Sequence, residues 1–85
     1  MKIKLHKNFD KNYKKLSEGQ KRKFKERRDL FLQDKFNPIL NNHSLKGEYL
    51  GYRSINITGD LRAIFKLAGE EATFVAIDSH SKLYG

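Results

Sequence analysis

Five residues in the second half of the chain have side chains that can move protons or hold a phosphate. His43 lies in a polar loop, Asp60 and Arg62 lie at a predicted hairpin turn, and His80 is followed four residues later by Tyr84. Histidine suits acid–base catalysis because it titrates near neutral pH, and arginine suits phosphate because its planar guanidinium binds two oxygens at once. These residue types can support RNA cleavage without a metal ion. A 2′-hydroxyl attacks the adjacent phosphate while one residue accepts its proton, another protonates the leaving 5′ oxygen, and a cation holds the phosphate.

Each of these residues also has a purely structural interpretation. Asp60 follows Gly59 in a turn, where aspartate is common, and Arg62 fits a solvated strand position. Tyr84 fits a residue that anchors the end of the chain by packing. A lone histidine in a polar loop, such as His43, or at a strand edge, such as His6, is usually a surface residue. From residue type and position alone, RNA cleavage therefore remains one hypothesis among several.

The charge is distributed unevenly along the chain. The formal net charge is +8, and residues 1–46 hold 14 of the 18 Lys and Arg residues but only 5 of the 10 Asp and Glu residues. A basic excess concentrated in one half of so small a chain is typical of a protein that binds a polyanion, although it also fits a solvated basic surface. We therefore expect a nucleic acid, or an assembly rich in it, among the partners.

Composition excludes several other classes. The chain has no cysteine, which excludes disulfides and thiolate metal sites. The histidines have no metal-ligand spacing, and the sequence contains no Gly-rich phosphate loop, nucleophile elbow or carboxylate cluster, so we expect neither a metal nor a cofactor. No segment approaches the roughly 20 apolar residues of a membrane span, and the N-terminus lacks the apolar stretch of a signal peptide. We expect a cytoplasmic protein without a membrane partner.

The N-terminal half predicts a strand followed by a helix hairpin. Ile3 and Leu5 alternate with polar residues, which is the period of a half-buried strand. Phe9, Tyr13 and Leu16 then share one face of a short helix. The segment 17–20, SEGQ, fits a capping box at the start of a second helix, which should bury Phe24 and Phe31 and end by residue 36, before Asn37-Pro38.

The C-terminal half predicts three strands joined by short turns. Residues 38–51 read as a loop, and the segments YRSINIT, LRAIFKL and ATFVAID then read as an antiparallel meander, with Ile55 and Ile57 buried. Eighty-five residues predict one domain, 1–85. The predicted fold is α+β in the order β-α-α-β-β-β, an antiparallel sheet with a helix hairpin on one face and the other face open for a ligand.

Two segments of the second half of the sequence form a distinctive pattern, HSLKGEYLGYRSINITGDLRAIFKL and the terminal DSHSKLYG. They resemble the RelE/YafQ superfamily of bacterial and archaeal toxins, most closely its YafQ-like branch. The positions that match the family pattern are His43, Leu45, Gly47, Gly51, Tyr52, Arg53, Asp60 and His80. The resemblance implies the RelE-like toxin fold and a ribosome-dependent mRNA interferase from a type II toxin–antitoxin system.

The resemblance also implies roles for individual residues and partners. It implies proton transfer by His43, Asp60 and His80. Arg62 would bind the phosphate, and Tyr84 corresponds to the terminal aromatic residue of the family. We expect the remaining RNA contacts at three further positions, which are Lys46, Arg53 and Asn56. The basic helices would dock on ribosomal RNA while the open face of the sheet acts on mRNA, and a cognate antitoxin would neutralise the protein.

Three positions depart from the YafQ-like pattern. Asn56 stands where that branch usually has a second histidine, Ala76 where it has an arginine, and Leu61 where it commonly has an aromatic residue. Arg62 is expected to replace the missing arginine from the adjacent strand. Two alternatives to RNA cleavage therefore remain, a toxin of the same fold that acts without cleaving RNA, as gyrase inhibitors do, and a catalytically degenerate RNA-binding module.

Overall fold

The structure, a computed structural model, describes residues 1–84, so Gly85 at the end of the predicted domain lies outside it. The chain forms five strands and three helices. The strands are β1 (Lys2–Leu5), β2 (His43–Ser44), β3 (Arg53–Asn56), β4 (Leu61–Ala68) and β5 (Glu71–Ser79). The helices are α1 (Lys7–Lys14), α2 (Glu18–Gln33) and α3 (His80–Tyr84), and two short 3₁₀ turns span Pro38–Leu40 and Gly47–Tyr49.

Local signals in the sequence define the two long helices. His6 caps α1, because its Nδ1 accepts from the backbone N–H of Asn8 at 3.0 Å. The predicted capping box of α2 is confirmed, since Ser17 Oγ accepts from the N–H of Gln20 and Gln20 Oε1 accepts from the N–H of Ser17. The second helix ends at Gln33, three residues before the predicted limit.

The five strands form one sheet in the order β1-β5-β4-β3-β2. The predicted meander is confirmed, since β3 pairs antiparallel with β4 and β4 with β5. The expectation of a purely antiparallel sheet is wrong at one edge, where β1 runs parallel to β5. The chain can make this parallel pair because the two helices carry it from β1 to the far side of the sheet.

The main core lies between the sheet and the two long helices. Phe9, Phe24 and Phe31 of the helices pack on Phe65 and Phe74 of the strands, with ring centroids 5.0–5.9 Å apart. All five rings are buried. The helical period predicts this burial for the three rings on α1 and α2. The predicted α+β fold with helices on one face of the sheet is thus confirmed.

The other face of the sheet, which we call the second face, is less open than the sequence predicts. A second apolar cluster forms there around Leu45, Ile64 and Ala76, and it is flanked by Tyr49, Tyr52, Val75 and Leu83. The loop over residues 45–52 covers this part of the face. The loop is bounded by Gly47 and Gly51 at φ of +66° and +93°, a region that favours glycine. These backbone angles give a physical reason for the two glycines of the family pattern.

No helix among the described residues is long and apolar enough to cross a membrane.

We expect Ser17→Ala to lower the free energy of unfolding by about 1 kcal/mol, because α2 loses the hydroxyl that caps its N-terminus. Urea denaturation monitored by circular dichroism measures the change. The exposed Ser44 provides a matched control, and Ser44→Ala should stay within about 0.5 kcal/mol of the parent. Equal stability of Ser17→Ala and the parent would contradict the assigned role of the capping box.

Candidate active site at the end of the sheet

The chain brings His80 and Asp60 together at one end of the sheet. The β4–β5 ladder ends at the Leu61–Ser79 pair, so α3 begins directly beside the hairpin that joins β3 to β4. The backbone N–H of His80 donates to the carbonyl oxygen of Asp60 at 2.9 Å. Both residues are exposed, which leaves this end of the sheet open to a ligand.

The tail that carries His80 is a short helix rather than a continuation of the strand. Ser79 Oγ accepts from the N–H of Lys82 at 3.3 Å, which is the hydrogen bond of an N-cap to the third helical residue. One turn of helix brings Tyr84 back against His80, with ring centroids 4.8 Å apart. The spacing of four residues between His80 and Tyr84 is therefore the helical spacing that brings two side chains into contact.

Tyr84 continues a row of aromatic rings across the second face of the sheet. Its centroid lies 6.4 Å from that of Tyr49, and Tyr49 lies 6.2 Å from Tyr52 in an edge-to-face arrangement. Lys66 Nζ lies 5.5 Å from the centre of the Tyr52 ring. We call His80, Tyr84, Tyr49 and Tyr52 the aromatic row. A partly exposed row of rings beside a cation is a surface on which bases of single-stranded RNA can stack.

Neither a role for Tyr49 nor the aromatic row is predicted by the sequence. Its only signal was two tyrosines three residues apart within a loop rich in turn residues. Burial raises the pKa of Tyr49 above its usual value of 10.0, and the charges of Glu48 and Tyr84 raise it further. The Tyr49 hydroxyl is therefore protonated at physiological pH.

Arg62 lies on the face of the sheet away from the two long helices, but its guanidinium is hydrogen-bonded to the turn that precedes it. Its neighbours in the ladder, Asn56 and Asp78, share its face. Its Nη1 donates to three carbonyl oxygens, those of Thr58 at 3.1 Å, Gly59 at 3.0 Å and Leu61 at 3.4 Å. The guanidinium thus holds the hairpin that positions Asp60.

Two polar side-chain atoms on the same face of β3 are buried without a hydrogen-bond partner. They are Ser54 Oγ and Asn56 Oδ1. Buried polar atoms in native proteins are usually bonded, so these two are exceptions. Asn56 lies directly opposite Arg62 in the ladder.

His43 lies on the outer strand β2, opposite Ser54, and not beside His80. Its Nδ1 lies 2.7 Å from the carbonyl oxygen of Asn41. A carbonyl oxygen only accepts, so this contact places the proton on Nδ1 and leaves Nε2 as an acceptor in the neutral ring. Three strand spacings, roughly 14 Å, separate β2 from β5, so His43 and His80 can act together only across an extended ligand.

The other two predicted RNA contacts occupy different surroundings. Lys46 is exposed at the start of the loop over residues 45–52. Arg53 shares the helix-facing side of the sheet with its ladder partner Phe65. Its Nε donates to Asn42 Oδ1 at 2.7 Å, and its guanidinium lies 5.6 Å from the centre of the Phe36 ring. Arg53 therefore anchors the segment before β2 and lies on the opposite face from Asn56.

A polar cleft of about 370 Å³ adjoins Asp60 on the helix side of the hairpin. It is lined by residues of α1, the α1–α2 connection, α2, the hairpin, the end of β5 and α3, including Asn12, Lys15, Gln20, Asp60, Asp78 and Lys82. No group of three or more His, Asp or Glu side chains within residues 1–84 is arranged to hold a metal ion.

Comparisons with known proteins confirm the family resemblance. A profile described as "Bacterial toxin of type II toxin-antitoxin system, YafQ" matches residues 1–85. A search of curated protein sequences finds no significant match. The chain belongs to the YafQ family of bacterial toxins of type II toxin–antitoxin systems.

Solved structures share the fold at low sequence identity. YafQ from E. coli strain BL21(DE3) superposes with a TM-score of 0.83 at 23% identity, covering 98% of this chain and 97% of that chain. The E. coli DinJ–YafQ toxin–antitoxin complex gives a TM-score of 0.79 at 24% identity, with 98% and 96% covered. A YoeB/ParE toxin from Agrobacterium tumefaciens gives 0.77 at 19% identity, with 94% and 99% covered.

We expect Arg62→Ala to loosen the β3–β4 hairpin, because the carbonyl oxygens of Thr58 and Gly59 lose the guanidinium as donor. The carbonyl oxygen of Leu61 keeps the backbone N–H groups of Ile57 and Thr58. The free energy of unfolding should fall by about 1 kcal/mol, and the amides of Asp60 and Leu61 should exchange with solvent faster than in the parent. Hydrogen exchange followed by NMR measures the local effect.

Arg62→Lys serves as the control for this variant, because it keeps the charge but lacks the planar fork of donors. It should protect the two amides less than arginine does. Unchanged exchange in Arg62→Ala would show that these contacts do not hold the hairpin.

Proposed function

We propose that this member of the YafQ family is an endoribonuclease that cleaves mRNA during translation on the ribosome, using acid–base chemistry without a metal ion. The observation that carries the proposal is the backbone hydrogen bond that places His80 next to Asp60 at an exposed end of the sheet, with Tyr84 against the histidine ring. We propose that residues 1–85 act as one toxin domain.

In this mechanism the 2′-oxygen of one nucleotide attacks its own 3′ phosphate. The bond from phosphorus to the 5′ oxygen of the next nucleotide breaks, leaving a 2′,3′-cyclic phosphate and a 5′-hydroxyl. His80 transfers one proton, and Asp60 is the favoured second group because it lies beside His80. His43 contributes across the bound RNA through its free Nε2, and Tyr84 stacks on a base at the cleavage point.

The proposal assigns the phosphate to Arg62. Its present acceptors are neutral carbonyl oxygens. A phosphate is the stronger acceptor, because it carries the opposite charge and can accept two parallel N–H bonds from the planar guanidinium. The guanidinium is therefore expected to exchange part of its carbonyl contacts for phosphate oxygens when RNA binds. The half-buried Asn56, which lies opposite Arg62 on the same face, would contact the RNA nearby.

Docking on the ribosome is assigned to the basic surface of the helices. Arg22 and Lys25 of α2 are exposed, on the far side of the helix from the buried Phe24 and Phe31 stripe. Cations on this surface can bind ribosomal RNA while the second face of the sheet approaches mRNA.

We further propose a cytoplasmic location, where ribosomes are found, and inhibition by a cognate antitoxin. E. coli YafQ has been solved in complex with DinJ, and a YoeB from Staphylococcus aureus in complex with YefM. A small, partly disordered antitoxin that folds over the toxin would cover the candidate site.

The second candidate function is RNA binding without cleavage, in a catalytically degenerate module of the same fold. The observation that favours it is the engagement of Arg62 by the hairpin, together with Ala76 at the position where the YafQ-like branch has an arginine. A toxin that inhibits gyrase instead remains the other alternative that the fold allows. The experiment below separates cleavage from both.

We expect His80→Ala to abolish the cleavage of translated mRNA, because the variant loses a proton-transfer group. The chain is expressed from an inducible promoter, and new 5′ ends of a translated mRNA are mapped. The parent should produce ends in phase with codons. Ser81→Ala is the control, because it alters α3 without removing a proton-transfer group. This variant should cleave mRNA like the parent.

Two results would overturn the enzymatic proposal. One is growth arrest by the parent without codon-phased ends, which would favour a non-cleaving toxin. The other is cleavage by His80→Ala and Arg62→Ala at the rate of the parent.

Affinity for ribosomes should depend on salt through the α2 surface. The double variant Arg22→Gln/Lys25→Gln should make the slope of log affinity against log salt shallower by about 1.5, because two phosphate contacts are lost. Ribosome binding at several salt concentrations measures the slope. Lys2→Gln/Lys4→Gln removes the same charge from β1 and should leave the slope closer to that of the parent, and equal effects of the two double variants would contradict docking through α2.

A further inference from the structure

A groove of about 530 Å³ on the second face of the sheet has no part in the mechanism above. It lies between the β1–α1 junction, the loop over residues 45–52 and the middle of β5. The residues that matter for its chemistry are His6, Asn8, Glu48, Tyr49, Tyr52 and Val75. We call this feature the Tyr49–Tyr52 groove. Its volume falls in the range of pockets that bind small organic molecules.

The apolar part of the groove is preformed. Tyr49 and Tyr52 pack edge to face on the second apolar cluster, which includes the buried Ile64 and Ala76. These contacts limit the motion of both rings before any ligand arrives. Val75 belongs to this wall because β5 carries an irregularity in its ladder there, opposite Ile64 and Phe65. A flat aromatic ligand can stack in such a groove without first ordering it.

The polar rim has one donor and two acceptors that the protein leaves free. His6 Nδ1 accepts from the N–H of Asn8, so the neutral ring presents Nε2–H. Asn8 Nδ2 donates to the carbonyl oxygen of Val75 at 3.1 Å, which leaves Asn8 Oδ1 as an acceptor. The exposed Glu48 carboxylate forms no ion pair within residues 1–84.

An acidic side chain on an RNA-binding face needs an explanation, because it repels phosphate. Carboxylates do bind one part of a nucleic acid well, the amino groups on the edges of the bases. Glu48 lies next to Tyr49 in sequence, at the rim of a groove walled by aromatic rings. This combination of a ring to stack on and an acceptor at the edge suits a base better than a phosphate or a sugar.

We propose that the Tyr49–Tyr52 groove binds a nucleobase that carries an exocyclic amino group, from a nucleotide flanking the cleavage point. Glu48 accepts from the amino group, and the base stacks on one of the two tyrosine rings while the other, at 79° to it, contacts the edge of the base. The aromatic row connects this groove to His80 through Tyr84, so one RNA strand can occupy both. The inference deepens the proposed function and rests on it for the identity of the ligand, since single-stranded RNA is the occupant that suits a chain of net charge +8.

A titration of the full chain with the four ribonucleoside monophosphates, followed by amide NMR spectra, tests the groove without requiring cleavage. AMP, CMP and GMP should shift the amides of Glu48, Tyr49, Val75 and Ala76. UMP, which lacks an amino group, should bind there roughly five- to tenfold more weakly.

Glu48→Gln should reduce this preference, because the amide presents a donor beside its acceptor. Glu26→Gln removes the same charge from the exposed surface of α2 and should leave the preference unchanged. Cleavage maps of the two variants give a second readout, in which only Glu48→Gln should redistribute the cut sites among codons.

The outcomes separate the groove from the enzymatic proposal. A base-dependent preference that Glu48→Gln reduces supports the groove even if the chain cuts no mRNA. Shifts at these amides that do not depend on the base, or no shifts with any of the four nucleotides, overturn the inference even if the chain is an active nuclease. The absence of shifts is the result expected if a protein side chain occupies the groove instead.

Discussion

The packing of aromatic rings around Phe74 is the interaction on which the rest of the structure depends. Phe74 contacts Phe9, Phe24 and Phe31 of the helices and Phe65 of the neighbouring strand, with centroids 5.1–5.9 Å apart. This contact fixes the helices to one face of the sheet and holds β5 between β1 and β4. The irregularity of β5 at Val75 comes directly after it. The final segment of β5 then reaches the β3–β4 hairpin and begins α3 beside Asp60, so the core sets the position of His80.

The same constraint divides the molecule into two surfaces with different charges and roles. One surface consists of the outward sides of the helices and carries most of the basic excess of residues 1–46. The other consists of the second sheet face and the end of the sheet, with the aromatic row, the hairpin and two unbonded polar atoms. Under the proposed function, the first surface attaches to one part of a large RNA assembly through its cations, and the second acts on another strand through its aromatic and titratable groups.

The sequence predicts those parts of the fold that periodic patterns encode. Alternation identifies β1 and the meander, and SEGQ identifies the start of α2. The strand β2 is missed because two residues cannot show a period, and the pairing of β1 with β5 is missed because parallel neighbours are distant in sequence. Arg53 has the same parity as Ile55 and Ile57, so strand alternation places it on their face, opposite Asn56. Ser79 is likewise of a residue type preferred at helix N-caps, so the sequence also contains a signal for the start of α3.

For the candidate site, the sequence and family resemblance name the individual residues, but only the structure shows which are neighbours. Asp60 and His80 adjoin each other, whereas His43 lies three strands from β5 and Arg62 is bound to its own turn. The claim most in need of a test is attack by the 2′-hydroxyl of the RNA. Purified translating ribosomes are supplied with an mRNA that carries one 2′-deoxynucleotide immediately 5′ of the scissile phosphate. The account predicts that cutting at that bond is lost while the all-ribose message is cut to a 5′-hydroxyl end, and cutting of both messages at the same rate would contradict it.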